Sequence, residues 1–284
     1  MNLKKDNPYG GRSQKENPLP DYHLHTVLCN HAEGEVSDYR KAAGALGIPE
    51  ICFVDHAPNP DGYDPRHRMK LSDFCDYQEL VDAEMDQREP HVLLGLEADY
   101  YNGCETFLEK WLVSHALDFV LGSVHYIEDW GFDNPDDMQV WNSVDITDTW
   151  HAYFQLVEKL VETGLFDAVG HLDIPKKFGH RPAEEELIKM VEPVLDKMAM
   201  AGMGMELNTS GLRKPVGEIY PSPLIVSLAC ERDIPICFGS DAHSPAEVGK
   251  DFPAALQMAH NAGYKNYFRI KKRKKYLVPL PETF

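Results

Sequence analysis

Long apolar runs are missing from this 284-residue chain. No stretch reaches the length of about 18 apolar residues that a transmembrane helix needs, so we expect no membrane association. The first 20 residues are polar, contain Pro and Gly and lack the apolar centre of a signal peptide, and we interpret them as a flexible leader. The six cysteines have no paired spacing, which favours free thiols in a reducing cytoplasm over a disulfide framework.

Positive charge is also scarce. The chain has 28 Lys and Arg against 46 Asp and Glu, which gives a formal net charge of −18 at pH 7. Proteins that bind nucleic acid usually carry a basic surface, so this composition argues against that class. Only residues 269–275 are strongly basic, and we interpret this short run as a solvated face. Bound divalent cations would offset part of the negative charge.

Short apolar segments alternate with amphipathic ones from residue 22 to residue 262. The predicted strands are residues 22–24, 51–54, 92–96, 119–124, 168–170, 204–207 and 236–238. The predicted helices are residues 38–46, 71–85, 106–115, 146–163, 182–200, 222–232 and 254–262. Strands that alternate with helices predict a parallel sheet, and about seven such units predict a closed or nearly closed α/β barrel. Residues 21–284 would then form one domain, with residues 128–144 as a long loop over the barrel mouth.

Polar residues of one chemical kind stand at the ends of these strands. In a parallel barrel the carboxyl ends of all strands lie at one face, which carries the active site. The candidates gathered there are His23, His25, His56, Glu97, His125, His171, Asp241 and His243, and His31 lies in a loop that can fold back over them. We therefore expect one site built from segments that are far apart in sequence.

A single histidine at a strand end is more often a hydrogen-bonded cap than a metal ligand. His23 and His25 are different, because alternate residues of a strand point to the same side. Asp241 and His243 repeat that spacing at another strand end. Imidazole and carboxylate ligands suit zinc, manganese or iron, and nine of them exceed the four of a tetrahedral site, so two to three divalent ions are expected. We interpret Cys29 as a packing residue.

Six histidines lie outside this group. They stand in predicted helices, at strand starts or in loops: His67, His91, His115, His151, His180 and His260. Five of them are interpreted as structural or surface residues. His180 follows the fifth strand and is a candidate neighbour of the site.

Several motifs resemble the polymerase and histidinol phosphatase (PHP) superfamily. They are Asp-Tyr-His-Leu-His-Thr at 21–26, Cys-Asn-His-Ala at 29–32, Asp-His-Ala-Pro at 55–58, Gly-Leu-Glu-Ala-Asp-Tyr at 95–100, Gly-Ser-Val-His-Tyr at 122–126 and Gly-Ser-Asp-Ala-His at 239–243. Gly-His-Leu-Asp at 170–173, Lys-Lys-Phe-Gly-His-Arg-Pro at 176–182 and Leu-Asn-Thr-Ser-Gly-Leu-Arg-Lys at 207–214 are similar to its histidinol-phosphatase branch. The resemblance covers nearly the whole chain after the leader and implies a distorted (β/α)7 barrel of the TIM-like kind.

The resemblance also implies how the ligands divide among three ions. His23, His25, Glu97 and Asp241 would hold the first ion, and Glu97 would bridge to a second. His125 and His171 would complete the second ion, and the third would be held by His31, His56 and His243. Lys176 and Lys177 stand where relatives often have two arginines, so a phosphate contact there would be a point charge instead of a two-pronged guanidinium.

The resulting expectation is a phosphomonoesterase that uses a metal-bridging hydroxide to attack a small phosphorylated substrate. Glu97, His125, Asp241 and His243 would serve catalysis, and Arg213, Lys176, Lys177 and His180 would contact the substrate. Asp55 and Asp173 adjoin ligand histidines and could orient them. Glu33, Asp99 and Tyr100 are candidates for recognition of the leaving group.

The first choice of substrate is L-histidinol phosphate, which places the reaction in histidine biosynthesis. A phosphoesterase of broader specificity and a non-catalytic metal-binding module are the alternatives. The sequence leaves open the physiological metal and the oligomeric state.

Overall fold

The computed structural model describes residues 19–59, 62–86 and 88–284. Its strands are β1 (Asp21–Leu24), β2 (Glu50–Phe53), β3 (His91–Asp99), β4 (Phe119–Ser123), β5 (Tyr126–Ile127), β6 (Trp130–Gly131), β7 (Ala168–Val169), β8 (Gly204–Asn208), β9 (Ile236–Gly239), β10 (Asn266–Lys271) and β11 (Lys274–Pro279). Its helices are α1 (Val36–Ala45), α2 (Phe74–Asp82), α3 (Glu105–Val113), α4 (Ile146–Thr163), α5 (Glu184–Ala201), α6 (Pro223–Glu231) and α7 (Phe252–Ala262).

Seven parallel strands form a nearly closed barrel in the order β1-β2-β3-β4-β7-β8-β9. The two outer strands approach each other at the carboxyl end, where His25 N donates to Ala242 O at 3.0 Å and Ala242 N donates to His23 O at 3.1 Å. Each predicted strand corresponds to one of the seven, so the predicted α/β barrel is confirmed. Its closure brings the residues after β9 next to those of β1.

The helices cover the barrel with one apolar face each, as their periodicity predicts. In α4 the Asp145 side chain accepts a hydrogen bond from Asp148 N at the start, and Gly164 ends the helix in the left-handed region at φ 65°. Tyr153, Val157 and Leu160 of this helix are fully or almost fully buried. This packing holds the strands, and therefore their carboxyl ends, in fixed positions.

The amino end of the barrel is closed by the hairpin of β10 and β11, which the sequence analysis missed. Phe268 and Ile270 pack inside the barrel against Tyr22 and Phe119. Arg269 is 1% exposed, and its Nη2 lies 3.0 Å from Glu50 Oε2. The interpretation of residues 269–275 as a solvated face is therefore wrong for its first member, because the hairpin carries that side chain into the protein.

The long loop after β4 is more ordered than the sequence suggested. Residues 126–131 form the short hairpin of β5 and β6, and Pro135–Asn142 form 3-10 turns. Trp130 and Trp141 pack edge to face at 4.9 Å, and Trp141 Nε1 donates to Phe132 O. An aromatic cluster thus keeps the loop against the barrel.

Residues 1–18 of the predicted leader lie outside the described residues, whereas Leu19 is buried in the core. All six cysteines have free thiols. Across the described residues, no helix combines the length and the apolar character needed to cross a membrane.

Candidate metal centre

The nine residues predicted to bind metal meet at the carboxyl end of the barrel. His23 lies on β1 and Glu97 on β3, and the remaining members follow β1, β2, β4, β7 and β9: His25, His31, His56, His125, His171, Asp241 and His243. The ring of His25 is the middle of the group, with its centroid 5.0 Å from that of His23, 4.7 Å from that of His56 and 4.2 Å from that of His243.

Glu97 lies between two sets of these imidazoles. Its Oε1 is 2.9 Å from His171 Nε2 and 3.6 Å from His125 Nε2. Its Oε2 is 3.0 Å from His56 Nδ1 and 3.4 Å from His23 Nε2. Burial acts to raise the pKa of Glu97, but the surrounding imidazoles hold it well below the usual range. The residue is therefore an anion whose two oxygens face different ligand groups.

Several nitrogens of the cluster are buried without a hydrogen bond to any described residue. They are His23 Nε2, both ring nitrogens of His25, His56 Nδ1 and His171 Nδ1. Leaving one buried polar atom unsatisfied costs about 1–3 kcal/mol, so such a group is costly unless a ligand completes it. Ligand atoms lie within 4.8 Å of one another in the sets His23–His25–Glu97, His23–His171–Asp241 and His31–His56–His243. This donor set fits divalent ions such as zinc.

Buried carboxylates hold two of the imidazoles from behind. Asp99 Oδ1 and His125 Nδ1 are 2.7 Å apart, and Glu206 Oε1 and His23 Nδ1 are 2.6 Å apart. Burial opposes protonation of these rings, but the charge of Asp99 raises the pKa of His125 to about 10, and the charge of Glu206 raises that of His23 well above its usual value. A carboxylate on Nδ1 leaves Nε2 of each ring directed at the cluster.

These two contacts are not predicted by the sequence motifs. Glu206 lies in a strand whose other residues are mostly apolar, as expected for the core. A charged residue within such a strand was the one feature of the sequence that could have indicated its role. Asp99 was assigned to the leaving group, but it serves His125 and the guanidinium of Arg68, whose Nη2 is 2.6 Å away. Of the other two candidates for the leaving group, Tyr100 donates its hydroxyl hydrogen to Glu105. Neither Tyr100 nor Glu33 lines the cavity described below.

The two aspartates expected to orient imidazoles differ. Asp55 Oδ1 lies 3.4 Å from His25 Nδ1 without forming a hydrogen bond, so its orienting role stays a prediction. Asp173 is instead 2.9 Å from Lys176 Nζ and accepts a hydrogen bond from Ser222 N at 2.8 Å. The prediction for Asp173 is therefore wrong, because its carboxylate stabilises the turn after β7.

The outer side of the cluster joins His31 and His243, whose Nε2 atoms are 2.8 Å apart. Two such nitrogens approach this closely when they share a proton or point at one cation. Cys29 is buried, as expected for a packing residue, yet its thiol lies within ligand distance of His25 and His243. Burial raises the pKa of this thiol, but the neighbouring imidazoles of His25 and His31 lower it to about 7.

A cavity of about 410 Å³ opens above the cluster. Asp133, Asn134 and Pro135 form part of its wall, so this part of the predicted loop lies over the barrel mouth. Lys177 and Lys214 also line the cavity. The cavity therefore combines possible metal ligands with cationic side chains that can attract an anion.

Of the two lysines predicted to contact substrate, Lys177 lines this cavity and Lys176 does not. Lys177 Nζ forms a 2.9 Å ion pair with Asp133 Oδ2. Lys176 is 1% exposed, and its Nζ lies 2.7 Å from Ile219 O and 2.9 Å from Asp173 Oδ2. Its amine is thus committed to the fold.

His180 and Arg213 also lie outside the cavity wall. His180 stacks on Trp141 with a centroid distance of 4.6 Å. Arg213 donates from Nη2 to Ser240 O at 2.7 Å and from Nε to Glu247 Oε1 at 3.1 Å. Glu247 itself lines the cavity, so Arg213 contacts a lining residue without lining the cavity itself. Its contact with a phosphate remains a prediction.

The fold and the cluster define an α/β-barrel protein with a candidate metal centre at the carboxyl ends of its strands. The model of the PHP domain matches residues 21–210, more than half of the chain, and the PHP-associated model matches residues 224–251. The chain belongs to the PHP domain family, as its motifs predicted.

Relatives extend this assignment over most of the chain. A protein of Deinococcus radiodurans described as "Probable histidinol-phosphatase" is 43% identical over 257 residues, which cover 89% of this chain and 98% of that protein. The crystal structure of a Listeria monocytogenes protein described as "putative histidinol phosphatase" has a TM-score of 0.77 at 24% identity. The match covers 83% of this chain and 99% of that protein. Histidinol phosphate phosphatase of Lactococcus lactis, solved with zinc, L-histidinol and phosphate, has a TM-score of 0.74 at 19% identity, with coverage of 90% and 98%. These two structures share the barrel fold.

Proposed function

We propose that this protein is a metal-dependent phosphomonoesterase that hydrolyses L-histidinol phosphate to L-histidinol and phosphate, a reaction of histidine biosynthesis. The observation that carries the proposal is the shared cavity: candidate metal ligands, among them His56, His171 and Asp241, and two lysines line one space large enough for a small phosphate ester. The 43% identity to a relative named for this activity, over nearly its whole length, supports the choice of substrate.

The metals are proposed as two to three divalent ions, with zinc first because a fold relative was solved with it. His23, His25, Glu97 and Asp241 would hold one ion, and His125 and His171 would hold a second together with Glu97. His31, His56 and His243 would hold the third. When bound, such ions polarise the phosphoryl group and supply a nucleophile from water near neutral pH.

The chain's own charges would bring the substrate to these ions. The formal net charge of the protein is −18, and Lys177 and Lys214 line the cavity together with several carboxylates. The two lysines and the bound cations together would attract an incoming phosphate. Asp133 holds the Lys177 amine in place, and that amine holds the pKa of Asp133 below its usual range even though burial acts to raise it. Asp99 and Glu206 orient the rings of His125 and His23 from behind.

The test is turnover of L-histidinol phosphate against glycerol phosphate and 4-nitrophenyl phosphate, with metal content measured on the same sample. We expect the first ester to have a kcat/KM at least about tenfold above the others, which corresponds to roughly 1.4 kcal/mol. Equal turnover of all three would favour the broader phosphoesterase. Absence of turnover in a zinc-loaded sample would favour the non-catalytic module.

A further inference from the structure

Glu206 is a buried acid that lies next to the metal-binding cluster and belongs to none of its close ligand sets given above. It stands on β8 and is 1% exposed. Its Oε1 is 2.6 Å from His23 Nδ1. Its Oε2 accepts hydrogen bonds from His171 N at 3.0 Å and from Asn208 Nδ2 at 3.1 Å. One carboxylate thus joins two candidate ligands that come from different strands.

Its effect on His23 concerns the ring. With Nδ1 engaged by Glu206, Nε2 is the nitrogen left to bind a metal ion once its proton is released, and it faces Glu97 Oε2 at 3.4 Å and Asp241 Oδ1 at 3.8 Å. His23 Nε2 is buried and makes no hydrogen bond within the described part of the chain. Glu206 therefore fixes both the tautomer and the direction of this ring.

Its effect on His171 concerns the backbone. His171 has φ +25°, on the left-handed side that a residue with a Cβ atom rarely adopts. The hydrogen bond from its N–H to Glu206 Oε2 is a contact that holds this conformation. The conformation sends His171 Nε2 to within 2.9 Å of Glu97 Oε1. Glu206 thus acts on both sides of Glu97, on His23 through the ring and on His171 through the main chain.

The neighbouring strand has a glycine where this carboxylate passes. A Cβ atom on Gly239 would stand 2.0 Å from Glu206 Oε1 and 2.7 Å from His23 Cβ. No side chain fits at this point unless Glu206 moves. The space left by Gly239 is an observation independent of the hydrogen bonds, and it shows that β9 is shaped around the Glu206–His23 contact.

We propose that Glu206 is a positioning residue that sets the relative placement of His23 and His171 and so determines how tightly the first two metal ions bind. The proposal rests on the metal ligands of the proposed function. This role requires a carboxylate, because the His171 N–H, the Asn208 amide and the His23 ring all donate to it. The amide of a glutamine has one acceptor oxygen, and its nitrogen is a donor.

The test is zinc affinity of the full-length protein, stripped of metal and titrated with zinc against a chromophoric chelator. Glu206→Gln keeps nearly the same shape and removes one acceptor, and we expect its zinc dissociation constant to rise about 10- to 100-fold. Glu206→Asp keeps two acceptors on a shorter chain, and we expect it to bind zinc more tightly than Glu206→Gln. The matched control is Glu50→Gln, a buried glutamate at the other end of the barrel, for which zinc affinity stays at the wild-type value.

Two results would overturn the proposal: wild-type zinc affinity in folded Glu206→Gln, or weaker binding by Glu206→Asp than by Glu206→Gln, since a role in shape alone prefers the isosteric residue. If circular dichroism shows that metal-free Glu206→Gln is unfolded, Gly239→Ala displaces the same carboxylate from the opposite side, and wild-type affinity there overturns the proposal. If zinc-loaded wild-type protein has no activity on L-histidinol phosphate, the proposed function is refuted. The comparison of zinc affinities would still test the role of Glu206.

Discussion

The two ends of the barrel bury charge in opposite ways. At the amino end, Glu50 receives hydrogen bonds from the hydroxyl of Tyr22 and from Arg269, and Arg273 pairs with Asp167. At the carboxyl end, several buried imidazole nitrogens make no hydrogen bond to any described residue. Buried polar groups are normally satisfied, so a cluster of unsatisfied ones marks a place that a ligand completes. Paired charges therefore indicate stability at one end, and unpaired nitrogens indicate function at the other.

The largest effect is expected from Glu97→Gln, which removes the central charge at the carboxyl end. A bridging carboxylate offsets the repulsion between two divalent cations, which stand about 3.5–4 Å apart in two-metal sites, and an amide is neutral. We expect the loss of at least one zinc ion per chain and a fall in kcat of at least about a thousandfold, or ~4 kcal/mol. Elemental analysis and steady-state kinetics measure both.

The matched change is His31→Ala, which leaves Glu97 in place and affects the outer ligand set. It should be milder in both zinc content and kcat. A full complement of zinc in Glu97→Gln with more than about a tenth of wild-type kcat, a deficit under ~1.4 kcal/mol, would contradict the bridging position of Glu97.

The second effect concerns the amino end and should appear in stability instead of metal binding. Arg269→Met removes the cation beside Glu50 and leaves a buried carboxylate, so unfolding in urea should become easier by about 3–5 kcal/mol. Zinc per folded chain should not change, because Glu50 and Arg269 belong to the opposite end from the candidate metal centre. A loss of zinc affinity in the folded variant would show that the two ends are coupled and break the comparison.

The sequence predicted the carboxyl end better than the amino end, and the reason is geometric. Ligands at strand ends converge in any parallel barrel, so identifying the strands was enough to place His23 beside Asp241, 218 positions later by number. No comparable rule links residue 269 to residue 50. The basic run around Arg269 has the composition of a surface segment, and only the hairpin geometry shows which of its side chains turn inward.

Residues that support the candidate site were less predictable than the candidate ligands themselves. A motif signals an imidazole next to a carboxylate in sequence, which favoured Asp173 beside His171, whereas the contact that forms comes from Glu206 on another strand. The sequence also did not predict which of the two adjacent lysines lines the cavity. Lys177 lines it and Lys176 is buried behind, because a 3-10 turn separates them by about a third of a turn.

A third effect is the pH dependence of zinc binding, which sharpens the contrast in charge. In the metal-free centre, burial opposes protonation, but Glu206 raises the pKa of His23 well above its usual value and Asp99 raises that of His125 to about 10. These rings therefore hold protons at neutral pH, and zinc must displace them. Zinc affinity should rise between about pH 6 and about pH 8, by roughly tenfold per pH unit for each proton released. Calorimetry in buffers of different ionisation enthalpy counts those protons, and a pH-independent affinity would contradict the assignment.

The smallest effect is expected from Lys177→Met, which tests whether an ion pair at the carboxyl end differs from those at the amino end. The Lys177–Asp133 pair is satisfied within the chain, as Glu50–Arg269 is, but its side chains are 15% and 18% exposed and line the cavity. Lys177 can therefore give its charge to an incoming phosphate. Loss of one charged contact in a partly solvated site should raise KM for L-histidinol phosphate about tenfold, or ~1.4 kcal/mol, with kcat and zinc content nearly unchanged.

Lys189→Met, which breaks a surface pair with Glu186 on α5, is the control and should leave KM at the wild-type value. If Lys177→Met also keeps its KM within about twofold of wild type, a difference below ~0.5 kcal/mol, this lysine is structural and the two ends of the barrel pair their charges for the same purpose.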